Sequence, residues 1–352
     1  IWLSQKVGKA ILRLEETDFH QHHLHDLVMS CGNEIDELCR RVFEDLRQRV
    51  MYRTQLFKRK RSILFSPHPD DDVISMGGML DKVVQNNNQL TVAYMTNGSV
   101  AVFDGDVRRH LRFVDMSHKA LGLTGAEYDA FKKRKTEIFG FLQNKKAGEI
   151  DPEDIQDIKA HIRYAEAVAG IEVMGLDDQN ARFLDMPFYK TGRVKKAPIG
   201  EEDIQIVLDL LKEIEPQHIF VAGDLSDPHG THRMCYMAIK FALERYNEEL
   251  EAAGAAKKQP LVWLYRGAWQ EWEIDKADTF IPMSKRDLDR KIEAIFKHES
   301  QKDRAMFPGA YDSREFWERA RDRNVETAHS LNALGLPEFY AAEAFVTVKQ
   351  MP

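Results

Sequence analysis

Cysteine is scarce in this chain. Cys31, Cys39 and Cys235 are its only three in 352 residues. That is too few and too scattered for a disulfide framework or a thiolate zinc site. Long apolar runs are missing too: nothing approaches the roughly 18 uncharged residues of a membrane helix, so no membrane partner is expected. There is no basic excess. Fifty Lys and Arg stand against 57 Asp and Glu, a formal net charge of −7, which argues against a nucleic-acid partner, since that would need a basic face. The start, Ile1-Trp2-Leu3-Ser4-Gln5-Lys6, shows no basic leader before an apolar core, so no secretion signal is expected and the cytoplasm is the default compartment. It also lacks an initiator Met, and we expect the sequence to begin inside a longer chain. What is there is ordinary for a globular protein: 43% hydrophobic and 30% charged residues. At about 150 residues per domain the length allows two domains and a little more, or one enlarged α/β domain.

Residues 1–60 read as a helical lead-in, with apolar spacing at Ile11 and Leu14 and again from Ile35 through Leu38, Val42, Leu46 and Val50. The basic run Lys58 to Arg61 reads as a solvated junction. At Ser62 the pattern changes. Ser62-Ile63-Leu64-Phe65-Ser66 has strand length, a helix starts near Val73, and residues 89–95 give a second strand, which predicts a right-handed parallel unit. Further strands are predicted at 171–176, 217–222, 260–266 and 343–349, and helices at 107–121, 125–147, 152–168, 201–214, 231–250, 284–299 and 314–333. The whole predicts an α/β fold: a layered αβα domain over 61–352 with a mostly parallel sheet and a helical insert at about 101–160.

The strongest chemical signal is Pro67-His68-Pro69-Asp70-Asp71-Asp72, directly after the first strand. Ligands in open α/β sheets bind at the carboxyl ends of strands. Adjacent carboxylates there repel one another, and a bound cation offsets that cost. A turn rich in Pro and Asp is the plainer reading. The second signal is Asp224 to His232, after another predicted strand and opening another helix, with His229 and His232 three residues apart. His and carboxylate ligands with an open position are the pattern of a catalytic zinc site.

Together His68-Pro69-Asp70-Asp71 and His229-Gly230-Thr231-His232 resemble the two motifs of the LmbE/PIG-L zinc de-N-acetylases. Arg163-Tyr164-Ala165-Glu166 resembles the family's Arg-x-x-Glu helix. Arg182 to Pro187 resembles the segment after its third strand, and His298-Glu299-Ser300-Gln301 its late His-x-Ser-Gln element. The resemblance implies a three-layer, Rossmann-like αβα fold with Zn²⁺, or another divalent metal, held by His68, Asp71 and His232. It implies Asp70 as general base and His229 at the oxyanion or the leaving nitrogen, with Arg163 and Asp185 as sugar contacts. The implied reaction is hydrolysis of an N-acetyl group from an N-acetylglucosamine-type small molecule, a sugar phosphate or glycoconjugate included, releasing acetate. Asp72 stands where the family usually has Glu, and the insert after Gly98 is longer than the family minimum, a candidate lid or homo-oligomer contact. Ile1 to Leu14 resembles the segment that joins a glucosamine-6-phosphate deaminase-like domain to an LmbE domain in bacterial fusion proteins.

Other features compete. His22, His25 and Asp26 would share a helix face but have no strand-end cleft around them. Arg108, Arg109 and Arg112 suit a phosphate, although a solvated helix face explains them as well. Trp263, Tyr265, Trp269 and Trp272 could stack a sugar, with core packing as the plainer reading. A non-catalytic sugar- or nucleotide-binding module, a metal phosphohydrolase and a deaminase-associated module are the rival functions.

Overall fold

The computed structural model describes all residues except 33, 191–195, 226–229, 253, 255–258, 268–269, 303–313, 350 and 352. Four helices come first: α1 (Trp2–Val7), α2 (Glu16–Gln21), α3 (His25–Ser30) and α4 (Ile35–Gln48). Strand β1 (Arg61–Ser66) follows, then α5 (Asp71–Gln85) and β2 (Gln89–Tyr94). The insert supplies α6 (Asp104–Ala120) and α7 (Ala126–Asn144), and α8 (Glu153–Val173) starts within it and runs past its end, ahead of β3 (Ala181–Phe183), α9 (Glu201–Ile214), β4 (His218–Ala222) and α10 (Thr231–Ala252). The chain continues through β5 (Leu261–Tyr265), β6 (Thr279–Met283), α11 (Lys285–Ile295), α12 (Phe316–Ala333) and β7 (Ala341–Val348).

The sheet has seven strands in the order β3-β2-β1-β4-β5-β7-β6. Strands β1 to β5 pair in parallel, while β7 runs antiparallel to both β5 and β6. Strand β1 reads as an unbroken apolar run because both of its faces are buried, as parallel strands require. Its period of two splits the core. Ile63 and Phe65 pack with Val207 and Leu211 of α9 and Ile239 and Ala242 of α10. Leu64 packs on the opposite face with Val73, Ile171, Ala294 and Ala320, which come from α5, α8, α11 and α12. The result is the three-layer α/β arrangement expected. The lead-in forms a third cluster, in which Leu3, Ile11, Phe19, Ile35 and Leu46 meet Phe280, Ala328, Leu331, Ala342 and Ala344. The Met51 N–H donates to the Phe280 carbonyl at 2.9 Å, so the lead-in also borders edge strand β6.

The strand predicted at 171–176 is wrong. Ile171 and Met174 are buried while Glu172 between them is exposed. That three-residue spacing belongs to a helix, and α8 runs on to Val173. The third strand forms later and is only three residues long. Strand β6 escaped the sequence pattern because it carries Pro282, which a sheet tolerates at an edge. No described helix is long and apolar enough to cross a membrane.

Candidate metal centre

The connections from β1 and β4 leave the sheet at its carboxyl edge from neighbouring parallel strands. The order reverses there: β1 leads through α5 on one face to β2, whereas α9 leads into β4 on the other. This switch point is where an open α/β sheet presents a crevice.

After β1 the chain turns sharply into α5. The Ser66 hydroxyl donates to the His68 carbonyl at 2.6 Å and accepts from the Asp72 N–H at 3.1 Å, while the Thr96 hydroxyl donates to the Pro67 carbonyl at 2.7 Å. Asp70 is the N-cap of α5, and Asp71 and Asp72 lie in its first turn. The partial positive charge of a helix N-terminus favours carboxylates there. All three are buried.

One oxygen gathers three nitrogens. Asp71 Oδ2 accepts the His68 N–H at 2.9 Å, and His68 Nδ1 and His232 Nε2 each lie 3.1 Å from it. His232 is in the first turn of α10. Its Nδ1 is 3.2 Å from the Asp224 carbonyl. A carbonyl only accepts, so Nδ1 carries the proton and Nε2 is left to face Asp71. The Asp224 carboxylate accepts in turn from the backbone N–H and side-chain amide of Gln270, at 3.2 and 3.1 Å. Burial pushes the Asp71 carboxyl up, but His232 and His68 outweigh it and hold it well below the usual carboxylate range. The potential ligand atoms of His68, Asp71 and His232 lie within 4.8 Å of one another. Two imidazoles and one carboxylate, buried and drawn from two loops, suit a divalent ion such as zinc.

Asp70 points toward a second charged group. Its Oδ2 is 3.1 Å from Arg163 Nη2, and Arg163 is only 1% exposed. Gly98 makes room for it: a Cβ there would sit 3.1 Å from both Arg163 Nε and the Pro69 ring, and its φ of +63° also favours glycine. Thus Arg163, expected to touch the sugar, is a buried partner of Asp70. Glu166, one turn on, accepts the Ser300 N–H at 2.7 Å and the Ser300 hydroxyl at 2.6 Å, which docks the late His-x-Ser-Gln element on α8. Asp72 accepts from the Tyr94 hydroxyl at 2.9 Å. Burial raises its carboxyl to about 7, with the Tyr94 bond opposing and Asp70 and Asp71 adding to the rise.

Asp185 lies on the segment that extends the sheet edge beyond β3, where Leu184 N–H and Met186 N–H donate to the carbonyls of Tyr94 and Met95. It takes a left-handed conformation, φ 47°, and accepts from the Tyr164 hydroxyl. His229 lies outside the described residues, as does Trp269. Asp224, at the start of the second motif, acts through its backbone. Two further neighbours carried no signal in the sequence. Tyr189 turns its ring edge to His68 at 6.3 Å, and Lys196 lies 3.6 Å over the Tyr189 ring. Burial lowers the Lys196 ammonium to about 8. A lone Tyr or Lys has no spacing to betray it.

The competing clusters take plainer places. Arg108 and Arg112 stack on Phe139, and Arg109 pairs with Asp106 at 3.2 Å. Trp263, Tyr265 and Trp272 donate to His218, the Phe65 carbonyl and the Leu264 carbonyl, respectively. Near the start, Glu16, His20 and His25 come together, not the set His22, His25 and Asp26. His22 instead packs edge-on to Trp2.

Residues 63–243 match the family described as PIG-L, GlcNAc-PI de-N-acetylase. The chain is a PIG-L family protein. The PIG-L match runs from β1 into α10 and so takes in both loops of the site. A Bacteroides thetaiotaomicron protein described as glucosamine-6-phosphate deaminase-like is 40% identical over 362 residues, covering 98% of this chain and 53% of its own length. The chain therefore spans about half the length of that relative. Among solved structures, the N,N'-diacetylchitobiose deacetylase of Pyrococcus horikoshii aligns with a TM-score of 0.50 and 17% identity, over 82% of this chain and 84% of its own. A 4-carboxy-2-hydroxymuconate hydratase from Pseudomonas putida aligns with a TM-score of 0.48 and 17% identity, over 82% and 96%. At 17% identity the likeness to the chitobiose deacetylase is one of fold.

Proposed function

We propose that this PIG-L family chain is a metal-dependent N-deacetylase that uses zinc and acts on an N-acetylglucosamine-type amino sugar. The observation that carries the reading is the convergence of His68, Asp71 and His232 at the strand ends, with Asp70 held beside them by Arg163. The family description and the deacetylase fold neighbour support it. The deaminase-like relative adds an amino-sugar phosphate to the substrates worth testing.

In this reading His68, Asp71 and His232 hold the metal. When bound it acidifies water and polarises an amide carbonyl. Asp70, beside ligand Asp71, takes the proton of the attacking water. Arg163 Nη2 fixes the Asp70 carboxylate, so little reorientation is needed when the proton moves. The water oxygen bonds to the acetyl carbon and the carbon–nitrogen bond breaks. The nitrogen gains a proton as it leaves, giving acetate and an amine. By resemblance to the family we assign that proton to an already protonated His229, which is reprotonated as Asp70 gives up the proton it took from water, and a substrate contact to Asp185. We also propose residues 61–352 as the catalytic unit and residues 1–60 as a lead-in packed against it.

The test is acetate release from N-acetylglucosamine, its 6-phosphate and N,N'-diacetylchitobiose. Wild-type protein should release acetate, lose activity to a chelator and regain it with zinc. Asp70→Asn should lower kcat on the order of 10² to 10⁴-fold. No acetate from any substrate, or an unimpaired Asp70→Asn variant, overturns the reading. Release of ammonia instead of acetate would point to the deaminase chemistry of the relative's name.

A further inference from the structure

One turn of α8 makes three contacts at the strand ends. Arg163 pairs with Asp70, Glu166 accepts from Ser300, and Tyr164 between them donates its hydroxyl to Asp185 Oδ1. No other residue hydrogen-bonds the Asp185 side chain among the described residues. A phenol has one proton to give, so this bond takes up one carboxylate oxygen and leaves Oδ2 able to accept. Burial and the carboxylate beside it raise the Tyr164 hydroxyl well above its usual range, so it remains a donor throughout the working pH range.

The pair is held from several sides. The Tyr164 ring stacks on Phe183 with centroids 3.9 Å apart, and Phe183 stacks on Tyr94 at 5.1 Å. The Leu184 and Met186 N–H groups, on either side of Asp185, donate to the Tyr94 and Met95 carbonyls at 2.9 and 3.0 Å. Asp185 itself has a left-handed backbone, φ 47°, which Asp accepts better than most residues. Such conformations gather at ligand sites. Yet Tyr164 and Asp185 are only half-buried, whereas Arg163 beside them is buried. Their distance from the metal loop suits a sugar. Residues 184–186 lie against the end of β2, and β2 lies against β1, which leads into His68. Two strand spacings amount to about 10 Å. A hexose whose acetyl group lies at the metal reaches that far.

We propose that Tyr164 is a positioning residue for substrate specificity: it fixes Asp185 so that the second carboxylate oxygen accepts from a ring hydroxyl of the sugar. This rests on the deacetylase reading above and on Asp185 as its substrate contact. Tyr164 touches neither the metal nor the reacting atoms; its effect passes through Asp185. A site built around a hydroxyl partner rejects acetylated amines that lack one, so the pair selects for a polyhydroxylated substrate.

The experiment compares wild type with Tyr164→Phe, Asp185→Gly and the double variant, using the most active of the three acetylated sugars above. Phe keeps the ring stack and removes only the hydroxyl. Gly removes the carboxylate and accepts the left-handed backbone. Tyr164→Phe should raise KM about 3- to 10-fold, the worth of one hydrogen bond. Its kcat and metal content should stay near the wild-type values, as loss of binding common to substrate and transition state requires. Asp185→Gly should raise KM at least as far. Adding Tyr164→Phe to Asp185→Gly should raise it no further, because the tyrosine acts only through that carboxylate. Wild-type KM in either single variant overturns the inference alone. So does a Tyr164→Phe variant that unfolds, loses metal or falls in kcat at unchanged KM, and so does a double variant whose two effects add. A wild type that releases no acetate overturns the deacetylase reading and this inference with it.

Discussion

At the scale of single residues, burial decides which side chains change charge. His218, at the start of β4, stacks on Phe57 with ring centroids 3.6 Å apart and accepts from Trp263 Nε1 at 3.1 Å. Burial, with a smaller push from Lys60, lowers its imidazole to about 4. The unfolded chain then binds more protons than the folded one between that value and the unperturbed pKa of about 6.5. The stability due to a neutral His218 is therefore complete above pH 6.5 and is lost as pH falls toward 4. His218→Gln keeps an acceptor for Trp263 but no titrating ring. Its melting temperature should drop less than the wild type's between pH 7 and pH 5. Parallel curves would contradict this role for His218. At this same scale, His68, Asp71 and His232 could be read from the sequence because each motif is a short stretch at a strand end. The Arg163–Asp70 pair could not, since α8 reaches Asp70 only through the packing of α8 against the sheet. Asp72 shows the limit differently. The sequence marks it as an Asp in a Glu position, but only the fold shows that its partners are Tyr94 and Ser66.

At the scale of elements, α5 is the piece that ties the site to the rest of the sheet. Its interior breaks at Met76, where φ is −139° and ψ is 29°. The N–H groups of Gly78 and Met79 donate instead to the Glu343 carboxylate of β7, at 2.9 and 2.7 Å. Lys291 of α11 pairs with Glu343 at 2.7 Å and donates to Asn324 of α12 at 2.8 Å, and both charged residues are 1% exposed. The two glycines are required by this approach. A Cβ at Gly77 would lie 2.8 Å from Lys291 Cγ, and one at Gly78 would collide with the Met283 sulfur. Removing one partner of such a pair leaves a buried charge uncompensated. Lys291→Met should therefore destabilise the fold by about 3–5 kcal/mol, read from urea unfolding. A change within about 0.5 kcal/mol, the range of an ordinary surface substitution, would contradict the network. The reason for a Gly-Gly pair inside this helix lies in β6, β7 and α11. Element types read well where periodicity was long, as in α9 and α10. The mistaken strand at 171–176 is the converse case: a short apolar run whose burial follows a helix end.

At the scale of the whole molecule, the strand order decides where chemistry can happen. Reversal between β1 and β4 opens one crevice, and both loops singled out in the sequence border it. The sequence alone could suggest a layered α/β fold, because strand–helix–strand spacing fixes parallel pairing and handedness. It could not show the antiparallel edge made by β7 and β6, nor that the lead-in packs on that edge through Phe280, Ala342 and Ala344. The central claim is that a divalent metal sits between His68, Asp71 and His232. Anomalous scattering at the zinc absorption edge, from crystals of the full chain grown with zinc, tests it most directly. The account expects one strong peak among those three side chains. A zinc peak only at the exposed Glu16, His20 and His25 group, with none at the strand ends, would contradict it.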